Sequence, residues 1–285
     1  MPQIDVLKGF FGEDSANSLA ILRLDLPDPL SGGNKSFKLK YNLQETKRLG
    51  FKKLITFGGA FSNHIAAVAN AGKKNEIETV GIIRGEELNA DSNAVLKYAS
   101  YRGMQLIFIS REDYRKRNDP DFINLLQQQY GPAYLLPEGG SNEFAVKGCK
   151  EILPAEADLF DIIICPVGTG ATLAGIIASA KSHQEIIGVA VLEGKEYLEN
   201  EVAQLLQNQS VQAKWKIEHG FTFGGYARSS PLLEAFVAEM KTKYNLPLEP
   251  VYSAKALYAL KETGNKINCR ILFIHTGGYA FSSGV

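Results

Sequence analysis

A chain of 285 residues, of which 45% are apolar and 22% charged, is long enough to form one large α/β unit or two lobes around a substantial core. Its 27 glycines and 11 prolines are too few for a collagen-like or disordered protein. Basic and acidic residues both number 31, so the formal net charge is zero, and neither nucleic acid nor an anionic membrane is an expected partner. Any anion must therefore be bound by local groups.

Three cysteines, Cys149, Cys165 and Cys269, form an odd set without CxxC spacing, which fits neither a disulfide framework nor a zinc site. We expect them to be small apolar residues in a reducing compartment. The first residues lack the features of a signal peptide, and the most apolar stretch, 162–167, is far shorter than the ~20 residues of a membrane span. These features predict a soluble cytoplasmic protein without a metal.

Short β-branched runs alternate with segments of helical period, which is typical of parallel βαβ units. Strands are predicted at 54–57, 79–84, 105–110, 133–136, 161–167, 186–192 and 270–275. Helices are predicted at 37–49, 63–74, 91–102, 120–130, 143–153, 171–182, 196–207, 229–244 and 253–264. The charged stretch 111–119 alternates in sign and indicates a solvated helix start or loop. The fold class is therefore α/β, with parallel-type sheets covered by helices.

Glycine-rich segments stand where strands end, which is where ligands bind in such sheets. The segment PVGTGAT, at 166–172, follows a buried strand and opens a helix, so its N–H groups could bind a phosphate. It lacks the Gly-Lys-[ST] ending of a P-loop and the acidic partner of a dinucleotide site. A single phosphate monoester is the favoured ligand, and a tight strand–helix turn without a ligand is the alternative.

Lys35 follows Gly-Gly-Asn and begins an amphipathic helix. It could be an ordinary surface lysine, or it could be partly buried beside Lys38, with a lowered pKa that frees its amine to form a Schiff base. Lys38 lies one turn further on and could reach the phosphate.

The segment GGAFSNH, at 58–64, also joins a strand to a helix. Ser62 or Asn63 could be an N-cap, and the same helix end could bind a substrate carboxylate. His64 could be a hydrogen-bonded core residue or part of that carboxylate site, and no partner at metal-ligand spacing accompanies it.

Taken together, these motifs resemble the pyridoxal-phosphate enzymes of the tryptophan-synthase-β fold (fold type II), and among them the group of 1-aminocyclopropane-1-carboxylate (ACC) deaminases and D-cysteine desulfhydrases. The resemblance extends from about residue 22 to residue 278. Its motifs are GGNKxxKLxYxL around Lys35, GGxxSNH at 58–64, GTGAT at 168–172, GGY at 224–226, PVY at 250–252 and HTGG at 275–278.

The resemblance implies a role for each matching residue. Lys35 would bind pyridoxal 5'-phosphate as a Schiff base and remove the substrate's α-proton, and Asn63 would bond the 3' oxygen of the cofactor ring. Ser62, Tyr226 and Tyr252 would act on the substrate. The phosphate would be bound by Lys38, Gly168, Thr169, Gly170 and Thr172. The substrate carboxylate would lie against Ser62, Asn63 and His64.

Two positions depart from the deaminase pattern. Ser253 stands where deaminases have an acidic residue against the pyridine nitrogen, and Thr276 stands where they have leucine. A neutral hydroxyl at 253 would leave the cofactor a weaker electron sink, and a hydroxyl residue at either place is similar to the desulfhydrase branch.

The resemblance further implies a large cofactor domain, residues 1–37 and 142–285, and a small inserted domain, residues 38–141, which would close over the substrate. The expected function is elimination from a small amino acid, D-cysteine first, to pyruvate, ammonia and sulfide. This is a lyase or deaminase reaction, with hydrolase as a wider label. ACC deamination is the alternative within the family, and a non-catalytic protein that binds a phosphorylated ligand is a third possibility. A homodimer is expected from the family.

Overall fold

The computed structural model describes residues 3–13, 15–27, 32–193, 197–225, 228–264 and 269–278. Within these ranges the strands are β1 (Gln3–Leu7), β2 (Ser18–Arg23), β3 (Lys53–Gly59), β4 (Glu78–Arg84), β5 (Gln105–Ile109), β6 (Tyr134–Leu136), β7 (Ile162–Val167), β8 (Glu185–Ala190), β9 (Lys214–Glu218) and β10 (Arg270–His275). The α-helices are α1 (Asn34–Arg48), α2 (Asn63–Asn75), α3 (Ala94–Tyr101), α4 (Arg111–Arg115), α5 (Pro120–Tyr130), α6 (Glu143–Cys149), α7 (Ala171–Ser179), α8 (Tyr197–Leu206), α9 (Pro231–Tyr244) and α10 (Ser253–Thr263).

Six strands form one sheet, in the order β1-β2-β10-β7-β8-β9. The edge strand β1 is antiparallel to β2, and the remaining neighbours are parallel. Alternate residues of β10 point to opposite faces, as the pleat requires. Leu272 and Ile274 join the core on one face, and Ile271 and Phe273 join the core on the other. Both faces are therefore buried.

The other four strands form a second, wholly parallel sheet, in the order β5-β4-β3-β6. Helices α1, α2 and α3 contribute to the core on one face of it, and α4 and α5 contribute to the core on the other. The predicted α/β class with parallel sheets covered by helices is thus confirmed. The domain boundaries at 38 and 141 stay a prediction.

Three strands were not predicted, and the reasons differ. The sequence of β2, SLAILR, has two leucines and an alanine around a single β-branched residue, which is a weak strand signal, yet every residue after Ser18 is buried. β1 and β9 are edge strands in which polar or charged residues interrupt the apolar ones, and this dilutes the apolar pattern. In the charged stretch 111–119, a short helix, α4, begins after an N-cap at Ser110. No helix in the described ranges is long and apolar enough to cross a membrane.

Helices α1 and α6 cross at Gly148, where a side chain would not fit. An added Cβ would overlap the carbonyl oxygen of Phe37. We therefore expect Gly148→Ala to lower the free energy of unfolding by about 2 kcal/mol, because the helices must move apart. Chemical denaturation measures this change, with the exposed Lys150→Ala on the same segment as the control, expected to cost under about 0.5 kcal/mol. Equal stabilities of the two variants would contradict the close crossing.

Candidate active site

A cavity of about 310 Å³ opens between the two sheets. It lies at the carboxyl ends of β3, β7 and β10, where the helices α1, α2 and α7 begin. Parallel strands end at a common edge, so loops that are far apart in sequence meet there.

Most of the predicted site residues line this cavity. They are Lys35, Lys38, Ser62, Asn63, His64, Gly168, Thr169, Gly170, Thr172, Tyr252 and Thr276. Ser253 is fully buried and is absent from the lining residues, and Tyr226 lies outside the described residues. The structure therefore brings together residues from five segments, whereas their chemical roles remain predictions.

Lys35 is linked to the glycine-rich loop 168–172 through Asn34, a residue with no predicted role. The Lys35 ammonium donates to Asn34 Oδ1 at 2.8 Å, and Asn34 Nδ2 donates to Thr172 Oγ1 at 2.9 Å. Burial, and then repulsion by Lys38, lowers the pKa of Lys35 to about 7. A substantial fraction of this amine is therefore neutral and nucleophilic near pH 7.

Lys38 lies deeper and faces the glycine-rich loop. Its Nζ donates to the carbonyl oxygen of Gly139 at 2.9 Å and to Thr169 Oγ1 at 3.3 Å. Burial lowers the pKa of Lys38 as well. Gly170, at the N-cap of α7, has a φ of 83°, a conformation that favours glycine. Helix dipole, loop N–H groups and a lysine thus meet at one place, which suits a phosphate.

Ser62 occupies the N-cap position of α2 but makes no side-chain capping bond there. Its hydroxyl is therefore not used by the helix and lies on the cavity wall. Asn63 follows at the first helical position and lies against Gly278, where a Cβ would overlap the Asn63 amide nitrogen. Glycine at 278 thus leaves room for the Asn63 amide.

His64 is buried and neutral. Thr56 Oγ1 donates to the carbonyl of Leu136 at 2.9 Å, so it accepts the proton of His64 Nε2 at 2.8 Å. Burial, then the cations of Lys35 and Lys38, hold the pKa of His64 well below its usual value. Nδ1 is left with a lone pair and no partner among the described residues. The predicted role of His64 at a substrate carboxylate stays a prediction.

Tyr252 lies at the start of α10, with its ring against Gly168. Three backbone N–H groups at this helix end, those of Val251, Tyr252 and Ser253, donate to the carboxylate of Glu249. Burial raises the pKa of Glu249 to about 7, although these bonds favour its charged form. Glu249 therefore fixes the backbone on which Tyr252 is carried.

Ser253 and Thr276, the two departures from the deaminase pattern, are neighbours. Their hydroxyl oxygens lie 3.4 Å apart, with Thr276 on the cavity wall and Ser253 behind it. Thr276 is thus better placed than Ser253 to meet a ligand. The assignment of Ser253 to the pyridine nitrogen stays a prediction.

A polar network beneath Thr276 holds the end of β10 in position. Arg23 binds Asp25 through Nε at 2.8 Å and Nη2 at 2.7 Å. His275 Nε2 donates to the carbonyl of Pro247 at 2.7 Å, and Nδ1 accepts the N–H of Gly277 at 3.1 Å. His275 is consequently neutral, and burial lowers its pKa. The network orients the turn that carries Thr276.

Comparison with known proteins bears on this site. A family model described as pyridoxal-phosphate dependent enzyme matches residues 11–277. An Arabidopsis thaliana protein named bifunctional D-cysteine desulfhydrase/1-aminocyclopropane-1-carboxylate deaminase is 29% identical, over 94% of this chain and 74% of its own. A Yersinia pestis protein named D-cysteine desulfhydrase is 24% identical, over 90% of this chain and 86% of its own.

A crystal structure described as that of an ACC deaminase homologue superposes with a TM-score of 0.83 at 25% identity, covering 99% of this chain and 90% of the other. The predicted fold of type II pyridoxal-phosphate enzymes is thereby confirmed. The wider label of hydrolase is not supported, because the relatives' names describe a desulfhydrase and deaminases.

The residues present fit pyridoxal phosphate. The lowered pKa of Lys35 suits an amine that reacts with an aldehyde, and the loop 168–170 with Lys38 suits a phosphate ester. The two groups face one cavity, as a single small molecule carrying both functions requires.

The two lysines supply a first test. Lys38→Met should raise the pKa of Lys35, because it removes a nearby cation while burial remains. In cofactor-free protein, the pH dependence of Lys35 acetylation, followed by mass spectrometry, should have its midpoint near 7 in wild type and higher in the variant. Lys40→Met, on the exposed side of α1, serves as control. An unchanged midpoint in Lys38→Met would contradict the coupling.

Ser253 supplies a second test. Ser253→Glu places a carboxylate in a fully buried position whose N–H already serves Glu249. We expect the cofactor-free variant to lose about 3 kcal/mol or more of unfolding free energy. Ser253→Ala should lose under about 1 kcal/mol. Equal stability of the two variants would show that this position accepts an acid without strain.

Proposed function

Because the chain belongs to the pyridoxal-phosphate-dependent enzyme family, we propose that it is a lyase that eliminates the thiol of D-cysteine. The products are pyruvate, ammonium and hydrogen sulfide, with one water consumed. The observation that carries the proposal is a lysine with a pKa of about 7 that shares a cavity with a glycine-rich phosphate loop. We further propose that the protein is a cytoplasmic homodimer. Cys149 and Cys165 are free buried thiols, and this supports a reducing compartment such as the cytoplasm.

The choice of D-cysteine over ACC rests on the charge of the cavity wall. Among the described lining residues, Glu138 is the only carboxylate, and it is engaged by Arg117 at 2.8 Å and Tyr114 at 2.8 Å. Thr276 and, behind it, Ser253 are neutral. No other acid among the described lining residues is therefore placed to hold a pyridine nitrogen protonated, which favours elimination of a good leaving group over ring opening.

Several residues of the cavity wall have separate tasks in this reaction. When bound, pyridoxal phosphate supplies the electron sink that makes the α-proton of an amino acid acidic. Lys38, with the N–H groups of 168–170, holds the phosphate, and Ser62 with the start of α2 holds the substrate carboxylate. Lys35 accepts the α-proton as a neutral amine, and Tyr252 can donate a proton to the departing sulfur. Asn63 would orient the ring through its amide.

ACC deamination remains the second candidate, and the name of the bifunctional Arabidopsis thaliana relative, with both activities, is the observation that favours it. The third possibility, a non-catalytic phosphate binder, would use Lys35 only as a charge. A visible absorption band in purified protein would be absent in that case.

We expect wild-type protein to release pyruvate from D-cysteine with a higher kcat/KM than it releases 2-oxobutanoate from ACC. Lys35→Ala should reduce turnover of D-cysteine by at least about a hundredfold, because the amine that moves the α-proton is lost. Lys40→Ala, on the exposed side of the same helix, is the matched control. A higher kcat/KM for ACC would establish the second candidate, and substantial turnover by Lys35→Ala would move the catalytic amine elsewhere.

A further inference from the structure

A second pocket, of about 670 Å³, adjoins the mouth of the catalytic cavity. Arg84, Arg117 and Glu138 line both, so the two spaces are continuous. The second pocket is the more open one. A ligand whose reacting end lies at Lys35 could therefore extend a side chain into it.

The pocket is strongly basic. Five arginines line it: Arg84, Arg111, Arg115, Arg117 and Arg228. Two carboxylates oppose them, Glu87 paired with Arg111 and Glu138 paired with Arg117. The formal charge of the described lining residues is thus +3, in a chain whose net charge is zero. Like charges repel each other, so this concentration favours binding of an anion from solution.

Arg84 and Arg117, which line both pockets, are held in place by their neighbours. Tyr114 is buried, and its ring lies 5.2 Å from the Arg117 guanidinium carbon and 5.8 Å from that of Arg84. Its hydroxyl donates to Glu138 Oε1 at 2.8 Å, while Arg117 Nε binds Glu138 Oε2 at 2.8 Å. Burial and the charge of Glu138 raise the pKa of Tyr114, so the phenol stays protonated and donates.

The backbone segment 138–141 connects the basic pocket to the glycine-rich loop 168–170. Glu138 directly precedes Gly139, whose carbonyl accepts from Lys38. In the same segment, the Ser141 hydroxyl donates to the carbonyl oxygen of Thr169 at 2.6 Å. One stretch of backbone thus lies between the glycine-rich loop 168–170 and the basic outer pocket.

We propose that the preferred substrate is a D-cysteine whose sulfur carries a substituent ending in a second oxyanion, and that the arginines of the outer pocket bind this oxyanion. This inference rests on the proposed function, because it names the class of amino acid on which elimination acts. A planar guanidinium binds a carboxylate through paired hydrogen bonds, so a side-chain carboxylate is the matching group. Arg84 is the residue best placed to decide the preference, since it is exposed and lines both spaces.

Two thioethers of D-cysteine test the proposal, S-carboxymethyl-D-cysteine and its neutral amide, S-carboxamidomethyl-D-cysteine. In each, the Cβ–S bond breaks and the sulfur leaves with a proton as a free thiol. Pyruvate and ammonium form with one water consumed. We expect kcat/KM for the acid to exceed that for the amide by about tenfold or more. In Arg84→Gln this ratio should fall toward one, whereas Arg48→Gln, an exposed change at the distant end of α1, should keep it.

Different results would overturn the proposed elimination and the proposed second oxyanion. Equal kcat/KM for acid and amide, with D-cysteine turned over, would overturn the second oxyanion and leave the elimination intact. If none of the three compounds yields pyruvate, the proposed function fails, and calorimetry on the same holoprotein with the unreacted pair then decides the inference. Tighter binding of the acid that is lost in Arg84→Gln supports it, and equal dissociation constants for acid and amide overturn it.

Discussion

Two lysine side chains line one cavity, and the free-energy cost of burying two neighbouring cations there shapes the site. Lys38 meets this cost by donating to Gly139 and Thr169, whereas Lys35 has a pKa of about 7 and is readily deprotonated. In the proposed function, Lys35 is the amine nucleophile, and Lys38, one turn further along α1, binds the anionic phosphate. A bound phosphate would compensate the remaining charge.

The fold supplies the walls that make this burial possible. The lysine segment enters α1 over the end of β10, where Gly33, at a φ of 63°, lies against the carbonyl of Thr276 with no room for a side chain. Asn34 N–H donates to that same carbonyl at 3.1 Å. Beneath it, the neutral His275 and the Arg23–Asp25 pair hold the strand ends together. The core of the larger sheet therefore determines where Lys35 lies.

Much of this site could be predicted from sequence, because glycine-rich loops after parallel strands must converge at one edge. The loops around Ser62 and Gly168 follow predicted strands, whereas Lys35 is predicted from the Gly-Gly-Asn segment that precedes its helix. Asn34, Glu138 and the arginines of the outer pocket were missed, because their roles depend on which surfaces the two sheets bring together. Periodicity also failed for β2, whose short apolar run suits either a helix or a strand, and its pairing with β1 and β10 decides its state. The burial of Ser253 behind Thr276 depends on the same packing.

The central claim is that Lys35, and not Lys38, carries the cofactor. Holoprotein reduced with borohydride and digested should contain one phosphopyridoxyl-lysine, and peptide mass spectrometry should place it on Lys35. We expect this result because the neutral amine of Lys35 reacts with an aldehyde, whereas Lys38 is hydrogen-bonded to Thr169 of the glycine-rich loop. A phosphopyridoxyl group on Lys38, or on neither residue, would contradict it.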